Sequence, residues 1–223
     1  MASLSAVIPT LNEADRLPAC LASLRGAVAE ILVADGGSTD STAGIAAHCG
    51  ARVITSARGR GAQLAAGAEA ARGEWLLFLH GDTALEPEWA AAAGRFMADP
   101  GNAGRAAYFT FALGDPAPAA RRLERLVAWR CRALGLPYGD QGLLITRDHY
   151  RRVGGYRPMP LMEDVDLVRR IGRRNLAALP ARAITAADRW RRQGWLLRST
   201  RNLACLTLYF LGVPPRALLR LYR

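Results

Sequence analysis

The sequence predicts an α/β protein with a mostly parallel β-sheet, helices on both of its faces, and further helices at the C-terminus. Two observations carry this prediction. Short apolar segments alternate with helix-like segments through the first third of the chain, and a polar or glycine-rich stretch follows each apolar segment. With 223 residues, 51% hydrophobic and 22% charged, the chain is also long and apolar enough to bury one globular core.

Four strands are predicted in the first half because each is a continuous apolar run bounded by turn-forming residues. They cover residues 5–9, 30–35, 51–56 and 74–80. The intervening segments predict helices. Asn12 and Asp15 mark the start of the first, Ser38 can cap the second, and Gly50 follows the end of the second. The third is predicted over residues 61–73.

The second half is less regular. Residues 104–113 contain aromatic and β-branched residues and predict a strand. Residues 115–135 predict a helix that begins with prolines. We expect a strand and turn over residues 139–156 and a helix that starts within residues 162–174.

Two apolar patterns predict buried helix faces. Leu123, Leu126, Val127 and Trp129 are spaced like one face of a helix. Residues 203–213 are apolar but too short to span a bilayer, so a buried helix is expected there rather than an interfacial one. Because no repeat or linker interrupts the chain, we expect one domain, residues 1–223.

Charge and cysteine content narrow the function classes. The formal net charge is +11, but every basic residue is arginine, which favours a coding bias over a nucleic-acid surface. Arginines also suit an anionic substrate. The four cysteines are too far apart for a zinc site or a disulfide framework. Since no secretory signal is present either, a cytoplasmic protein is expected.

Polar loops follow all four predicted strands, where parallel sheets bind ligands. Asp35 is the last residue of the second strand, Asp82 follows the fourth strand, and Arg58 and Arg60 follow the third. Asp82 could bind Mg²⁺ or Mn²⁺, or it could cap a turn. The arginines could bind a pyrophosphate or be solvated.

An acidic group in the second half offers a general base. Glu163 and Asp164 stand at a predicted helix start, where acidic residues are also favoured by the helix dipole alone. The segments around Asp140 and around Trp190 add groups that could hold an acceptor.

The combined motifs are far more specific than any one of them. "VIPTLNEAD", "VADGGSTDST", "ARGRGAQLAAGA", "GEWLLFLHGDT", "GDQGLLITRDHYRRVGGY" and "LMEDVDLVRR" occur in that order over residues 5–192. The chain thereby resembles family 2 glycosyltransferases of GT-A fold. Within that family it is similar to a short branch with an H-x-D-T motif, associated with radical-SAM, selenium and arsenosugar pathways, whose closest known activity is selenosugar synthesis.

The resemblance implies roles for particular residues. Asp35 would contact the uracil, Arg58 and Arg60 the diphosphate, and Asp164 would be the catalytic base with Glu163 beside it. The nucleotide-sugar pocket would further include Pro9, Thr10, Leu11, Glu13, Gly61 and Gly81; the metal site Asp82 and His80; and the acceptor site Asp140, Gln141, Arg189 and Trp190.

It also implies a division of the chain into a nucleotide-sugar half (1–100), an acceptor half (101–192) and a C-terminal helical extension (193–223). His80 replaces the first acidic residue of the family's metal motif. Dependence on Mg²⁺ or Mn²⁺ is therefore left open.

The implied reaction is an inverting transfer from a UDP-sugar, UDP-GlcNAc or UDP-glucose, to a small anionic acceptor such as selenophosphate, with release of UDP. An arsenical or hydroxyl acceptor is the alternative. Two other classes stay open: a nucleotidyltransferase, disfavoured because "PTLNEAD" lacks glycine, and an arginine-rich nucleic-acid-binding module. No nucleic-acid partner and no transmembrane segment are expected, and the oligomeric state is left open.

Overall fold

The computed structural model of the chain describes residues 2–222, so the two terminal residues of the expected 1–223 domain lie outside the described residues. Eight strands form one sheet in the order β3-β2-β1-β4-β7-β6-β8-β5. They are β1 (Leu4–Thr10), β2 (Glu30–Asp35), β3 (Arg52–Thr55), β4 (Trp75–Phe78), β5 (Thr83–Leu85), β6 (Ala106–Leu113), β7 (Leu143–Thr146) and β8 (Leu176–Thr185).

Strands β1 to β4 form the parallel half that the sequence predicts. β1 pairs in parallel with β2 and β4, and β2 pairs in parallel with β3. All seven residues of β1 are buried, as expected for a central strand covered on both faces. The mixed α/β architecture is therefore confirmed, and the carboxyl ends of these four strands meet at one edge.

The other half contains the antiparallel pairings. β7 runs antiparallel to both β4 and β6, and β5 runs antiparallel to β8. β8 pairs in parallel with β6. β5 and β8 are absent from the sequence-based prediction. Thr83, directly after Asp82, begins β5 and hydrogen-bonds through Oγ1 to Thr185 Oγ1 at 2.9 Å.

Ten α-helices surround the sheet within residues 2–222. They are α1 (Leu17–Leu24), α2 (Thr42–His48), α3 (Arg60–Ala70), α4 (Trp89–Ala98), α5 (Pro118–Leu134), α6 (Arg147–Arg152), α7 (Glu163–Ile171), α8 (Asp188–Gln193), α9 (Trp195–Phe210) and α10 (Pro215–Tyr222). Two large clusters of buried apolar side chains lie on the two faces of the sheet.

Helix α5 forms, and its predicted apolar face is confirmed at Val127, which is buried, and at Leu123, which packs against the same apolar cluster, but it is wrong at Leu126 and Trp129. Leu126 is 57% exposed and Trp129 is 55% exposed, whereas Ala120, Val127 and Cys131 are buried. The buried positions recur at seven and four residues, so small side chains can approach β6 closely. The larger Leu126 and Trp129 consequently point away from the sheet.

The C-terminal helices are only partly buried, contrary to the expectation for residues 203–213. Cys205 and Leu206 are buried, but Leu203 is 63% exposed and Leu211 is 75% exposed. Cys205 and Leu206 pack in the same apolar cluster as Leu64 of α3. The C-terminal helices thus share a core with the parallel half. Among residues 2–222, no helix combines the length and apolar character needed to cross a membrane.

Candidate functional site

A cleft of about 780 Å³ opens at the carboxyl ends of β1, β3 and β4. It is lined by the turns that follow these strands, by the loop before α7 and by α8 and α10. The predicted residues that line it are Pro9, Thr10, Leu11, Glu13, Arg58, Arg60, His80, Gly81, Asp82 and Arg189. The structure thus brings together most of the residues predicted from the strand ends. We call this space the outer cleft.

A smaller cavity of about 120 Å³ adjoins the outer cleft. Arg60, His80, Asp82 and Arg189 line both spaces, so these four side chains form the boundary between them. The remaining polar lining comes from the second half of the chain: Tyr138, Asp140, Asp164, Thr185, Trp190, Arg198, Asn202 and Tyr222. We call this space the inner cavity.

Asp35 lies at the same sheet edge but lines neither space. Its Oδ1 accepts from Thr10 Oγ1 at 3.1 Å, and its Oδ2 accepts from the backbone N–H groups of Gly37 and Ser38. These bonds, with one from the Ser38 hydroxyl, lower the pKa of Asp35 against the opposing effect of burial. Asp35 therefore holds the loop after β2, with Thr10 between it and Gly81.

Glu163 and Arg60 form an ion pair beneath the outer cleft. Glu163 is fully buried, and the Arg60 side chain is 31% exposed and lines both spaces. Glu163 stands at the first position of α7, after Met162, which adopts a left-handed φ of 66°. The arrangement anchors the Arg60 guanidinium at the boundary. It leaves Glu163 itself away from both spaces.

Gly61 also lines neither space but shapes the outer cleft. A Cβ at this position would lie 2.2 Å from the Arg157 carbonyl oxygen, so only glycine permits this approach of α3 to the loop before α7. Pro158, Met159 and Pro160 of that loop line the cleft.

His80 is neutral at the boundary. Burial and the positive charges of Arg60 and Arg189 lower its pKa to about 3, although Asp164 acts in the opposite direction. Its Nε2 is buried without a hydrogen-bond partner. The ring packs against Gly139, where a Cβ would lie 2.4 Å from Nε2. The imidazole is thus fixed by shape rather than by hydrogen bonds.

Two carboxylates of the inner cavity differ in their partners. Asp164 Oδ2 accepts from Gly139 N at 2.8 Å, and its Oδ1 accepts from Val165 N at 2.8 Å. Asp140 Oδ1 is buried with no partner. Burial, together with the charges of Asp164 and Asp82, raises the pKa of Asp140 to about 6. Asp164 is therefore held by its backbone contacts, whereas Asp140 lacks a counterpart at one oxygen.

Glu13 connects the turn after β1 to α8. It forms ion pairs with Arg16 at 3.3 Å and with Arg189 at 3.7 Å. Burial first, and Asp82 second, raise its pKa. Asp188 pairs with Arg16 at 2.9 Å, so these ion pairs tie α8, whose Arg189 lines both spaces, to the segment after β1.

Gln141 lies away from both spaces. Its Nε2 donates to the Phe109 carbonyl at 3.1 Å, and its Oε1 accepts from Arg130. These partners tie the turn that carries Asp140 to β6. Trp190, by contrast, lines the inner cavity.

The residues present fit a divalent cation that is shared with a bound diphosphate. Asp82 lines both spaces and supplies a carboxylate, the donor that Mg²⁺ and Mn²⁺ prefer. Within residues 2–222, however, no three His, Cys, Asp or Glu side chains converge as a metal cluster. The oxygens of a ligand would therefore have to complete the coordination.

Five polar residues that line the inner cavity are missing from the sequence-based prediction: Tyr138, Thr185, Arg198, Asn202 and Tyr222. Arg198, Asn202 and Cys205 are spaced to share one face of α9. In the sequence, the signal for these residues is a charged and an amide side chain four positions apart in a largely apolar helix, which indicates a polar site on one helix face.

Comparisons with known proteins agree with this geometry. Residues 5–143 match the family described as glycosyl transferase family 2. The chain is 41% identical over 91 residues to a PGL/p-HBAD biosynthesis glycosyltransferase of Mycobacterium tuberculosis, covering 36% of each chain. It is 38% identical over 87 residues to a TPR repeat-containing protein of Synechococcus elongatus, covering 38% of this chain and 22% of the relative. The matches thus span about a third or less of these curated relatives.

Solved structures show the same fold at low sequence identity. The glucosyl-3-phosphoglycerate synthase of M. tuberculosis with Mn²⁺, UDP and glucosyl-3-phosphoglycerate matches with a TM-score of 0.58 and 21% identity, over 83% of this chain and 70% of that one. Mannosyl-3-phosphoglycerate synthase from Rubrobacter xylanophilus matches with a TM-score of 0.55 and 21% identity, over 83% and 65%. With the family match covering more than half of its residues, this chain belongs to glycosyl transferase family 2.

Proposed function

We propose that this chain is an inverting glycosyltransferase that moves a sugar from a UDP-sugar in the outer cleft to a small acceptor in the inner cavity. The observation that carries the proposal is the shared boundary of the two spaces. Both spaces are lined by Asp82, His80, Arg60 and Arg189. A sugar bound at this boundary would have its diphosphate in the outer cleft and the acceptor on its other side, in the inner cavity. Direct displacement across such a boundary inverts the anomeric carbon.

The outer cleft suits a nucleotide diphosphate sugar. Its volume of about 780 Å³ lies within the usual range of small-molecule sites, about 300–1,000 Å³. Arg58 and Arg60 line it beside the first turn of α3, where guanidinium groups would bind the diphosphate. Solved structures of similar fold contain UDP or UDP-glucose with Mn²⁺, which supports a UDP-sugar donor and a divalent cation here.

Asp82 would hold the cation, Mg²⁺ or Mn²⁺, together with oxygens of the diphosphate. When bound, such a cation neutralises the negative charge that develops on the departing diphosphate. Arg60, kept in place by Glu163, would add a second positive charge at the same point.

Asp164 would act on the acceptor. Both of its oxygens accept backbone hydrogen bonds, which orient the carboxylate at the wall of the inner cavity. For a hydroxyl acceptor, Asp164 would remove the proton as the oxygen attacks the anomeric carbon. An acceptor that is already anionic needs no base. The arginines that line the inner cavity would then matter more, because their positive charges would bind the anion.

Within this reaction we propose selenophosphate as the acceptor, on the strength of the H-x-D-T motif at residues 80–83. The selenium–carbon bond forms as the carbon–oxygen bond to UDP breaks, and the electron pair leaves with the diphosphate. Hydrolysis of the phosphorus–selenium bond by water then gives the seleno-sugar and phosphate. The second candidate is a hydroxyl or arsenical acceptor, and the placement of Asp164 favours the hydroxyl.

The experiment is incubation with UDP-GlcNAc or UDP-glucose and selenophosphate, with Mn²⁺ or Mg²⁺ and with EDTA as separate arms. Mass spectrometry for a seleno-sugar, and an assay for released UDP, report the transfer. UDP release with an alcohol but not with selenophosphate would remove the selenium assignment and keep the glycosyltransferase. If the protein binds oligonucleotides but no UDP-sugar, both the selenium assignment and the glycosyltransferase proposal are wrong.

A further inference from the structure

Arg198 is a buried positive charge with no negative partner among the described residues. It lies in the first turn of α9 and is only 7% exposed. No Asp or Glu oxygen of residues 2–222 lies within 4.0 Å of its guanidinium in an ion pair, in contrast to Arg60 or Arg170. Because an unpaired buried charge is costly, this position calls for a negatively charged ligand.

The surroundings of Arg198 are aromatic and neutral. Its Cζ lies 5.5 Å from the centre of the Trp190 ring and 5.6 Å from that of Tyr222, within the range of cation–π contacts. Its Nη1 donates to Gln193 Oε1 at 2.8 Å, and its Nη2 donates to the Tyr222 hydroxyl at 3.3 Å. These contacts hold the guanidinium in one place without neutralising it.

Donor capacity is left over at this point. A guanidinium has five N–H donors, and Arg198 uses two of them in the hydrogen bonds above. Its Nε is buried with no partner, as is Oδ1 of Asn202, one turn further along the same face of α9. An amide can present its NH₂ group by rotation, so Asn202 can donate beside Arg198.

Both residues line the inner cavity, and the cavity is small. Its volume of about 120 Å³ corresponds to roughly four water molecules at about 30 Å³ each. A phosphate-sized or carboxylate-sized group fits, whereas a second nucleotide does not. The carboxylates of Asp82, Asp140 and Asp164 also line this cavity and would repel an anion placed among them, so the Arg198 side is the favourable one.

We propose that Arg198 binds the oxyanion group of the acceptor, with Asn202 as a second donor and Trp190 and Tyr222 as the walls. This inference rests on the proposed function, because the inner cavity is an acceptor site only if the chain transfers a sugar. It assigns the C-terminal helices to the site: α9 would select acceptors that carry a phosphate-like or carboxylate group. Arg198 would be a specificity-determining residue, with no part in bond making.

The experiment compares Arg198→Gln with Arg201→Gln, which removes a partly exposed arginine of the same helix that lines neither space. For the anionic acceptor we expect KM to rise about 10- to 100-fold in R198Q, the loss of one charge-assisted hydrogen-bonding group, with kcat changed less than about threefold. R201Q should behave like the wild type. R198K, which keeps the charge but loses the fork geometry, should lie between them.

A binding measurement that needs no turnover accompanies the kinetics. Inorganic phosphate is titrated calorimetrically into the wild type and both variants in the presence of UDP, and UDP affinity is measured in parallel. We expect phosphate binding to be lost in R198Q and kept in R201Q, with equal UDP affinity and melting temperature within a few degrees in all three.

The outcomes separate the two proposals. If the wild type binds UDP and transfers sugar but R198Q has an unchanged KM and still binds phosphate, the assignment of Arg198 is wrong and the glycosyltransferase stands. If the wild type binds neither UDP nor a UDP-sugar, the proposed function itself fails. Should R198Q fold poorly, protection by phosphate against thermal unfolding is compared between the wild type and R198K. Weaker protection in R198K than in the wild type supports the assignment, whereas equal protection in both, or no protection in the wild type, overturns it.

Discussion

The outer cleft and the inner cavity are built differently although they share a boundary. The outer cleft is lined mainly by short turns that follow three strands of the parallel half, each close in sequence to the strand that positions it. The inner cavity draws side chains from positions between Arg60 and Tyr222. Most of the outer cleft thus follows locally from strand ends, with one wall added by the loop before α7, α8 and α10. Most of the inner cavity exists only because distant segments pack together.

They also differ in how their polar groups are satisfied. At the outer cleft, Glu13 has two arginine partners and Arg60 has Glu163. At the inner cavity, Asp140 Oδ1, Asn202 Oδ1 and Arg198 Nε are buried without partners. Two further partnerless atoms are His80 Nε2 on the shared boundary and Oε2 of Glu163 beneath the outer cleft. Buried polar atoms without partners are uncommon in proteins, so a ligand is expected to complete the inner cavity in particular.

Removing the carboxylate at the boundary should have the largest effect. Asp82→Asn is expected to lower the rate of UDP release about 10³-fold, because the cation on the departing diphosphate would lose its protein ligand. The control is Asp148→Asn, an exposed acid in the first turn of α6. A rate within threefold of the wild type would show that Asp82 does not act at the boundary.

A substitution confined to the inner cavity should affect transfer to the acceptor without affecting donor binding in the outer cleft. Asp164→Asn is expected to lower transfer to a hydroxyl acceptor about 100-fold while UDP affinity stays the same, because a general base contributes to the attack and not to donor binding. Initial rates and calorimetric UDP binding measure the two effects. Equal loss of both would mean that Asp164 shapes the donor site instead.

The pH dependence of stability tests the burial of the inner cavity. Asp140 has a pKa of about 6 in the folded chain, against an ordinary value of 3.8. As pH rises from 4 to 6, the unfolded chain loses this proton before the folded chain does, so the free energy of unfolding falls. Over that interval we expect the free energy of unfolding of Asp140→Asn to rise by up to about 3 kcal/mol relative to that of the wild type. Above pH 6 the difference should change little further.

Urea unfolding at several pH values, with EDTA present throughout, measures this difference. Asp148→Asn, which alters an exposed acid, should show no comparable trend. If the difference in free energy of unfolding between Asp140→Asn and the wild type stayed constant from pH 4 to 6, Asp140 would be exposed to solvent with no raised pKa.

The smallest expected effect concerns the shape of the outer cleft. Gly61→Ala places a Cβ 2.2 Å from the Arg157 carbonyl oxygen, so backbone must move at the wall of the cleft. We expect UDP affinity to fall about tenfold and the melting temperature to drop. Gly44→Ala in α2, where a Cβ meets nothing within 4 Å, is the control and should not lower either. Unchanged UDP affinity in G61A would remove Gly61 from the donor site.

The antiparallel half shows where pattern reasoning reaches its limit. β5 has three residues, too few to carry an alternation signal, and it is a strand because it pairs with β8, where Thr83 lies opposite Thr185, 102 positions away. The predicted apolar face of α5 is wrong at two of its four residues for a related reason. Its hydrophobic spacing is helical, but the contact with β6 selects small residues over Leu126 and Trp129.

The sequence by itself determined the parallel strands, the polar turns at their carboxyl ends and the gathering of Asp82 with Arg58 and Arg60, because the apolar runs and the turns that follow them are local in the chain. Tertiary structure decided that Glu163 pairs with Arg60, that Asp35 and Gln141 hold neighbouring loops, and that Arg198 lines the inner cavity. Those outcomes depend on which distant side chains share a buried space, and burial is a property of the assembled fold.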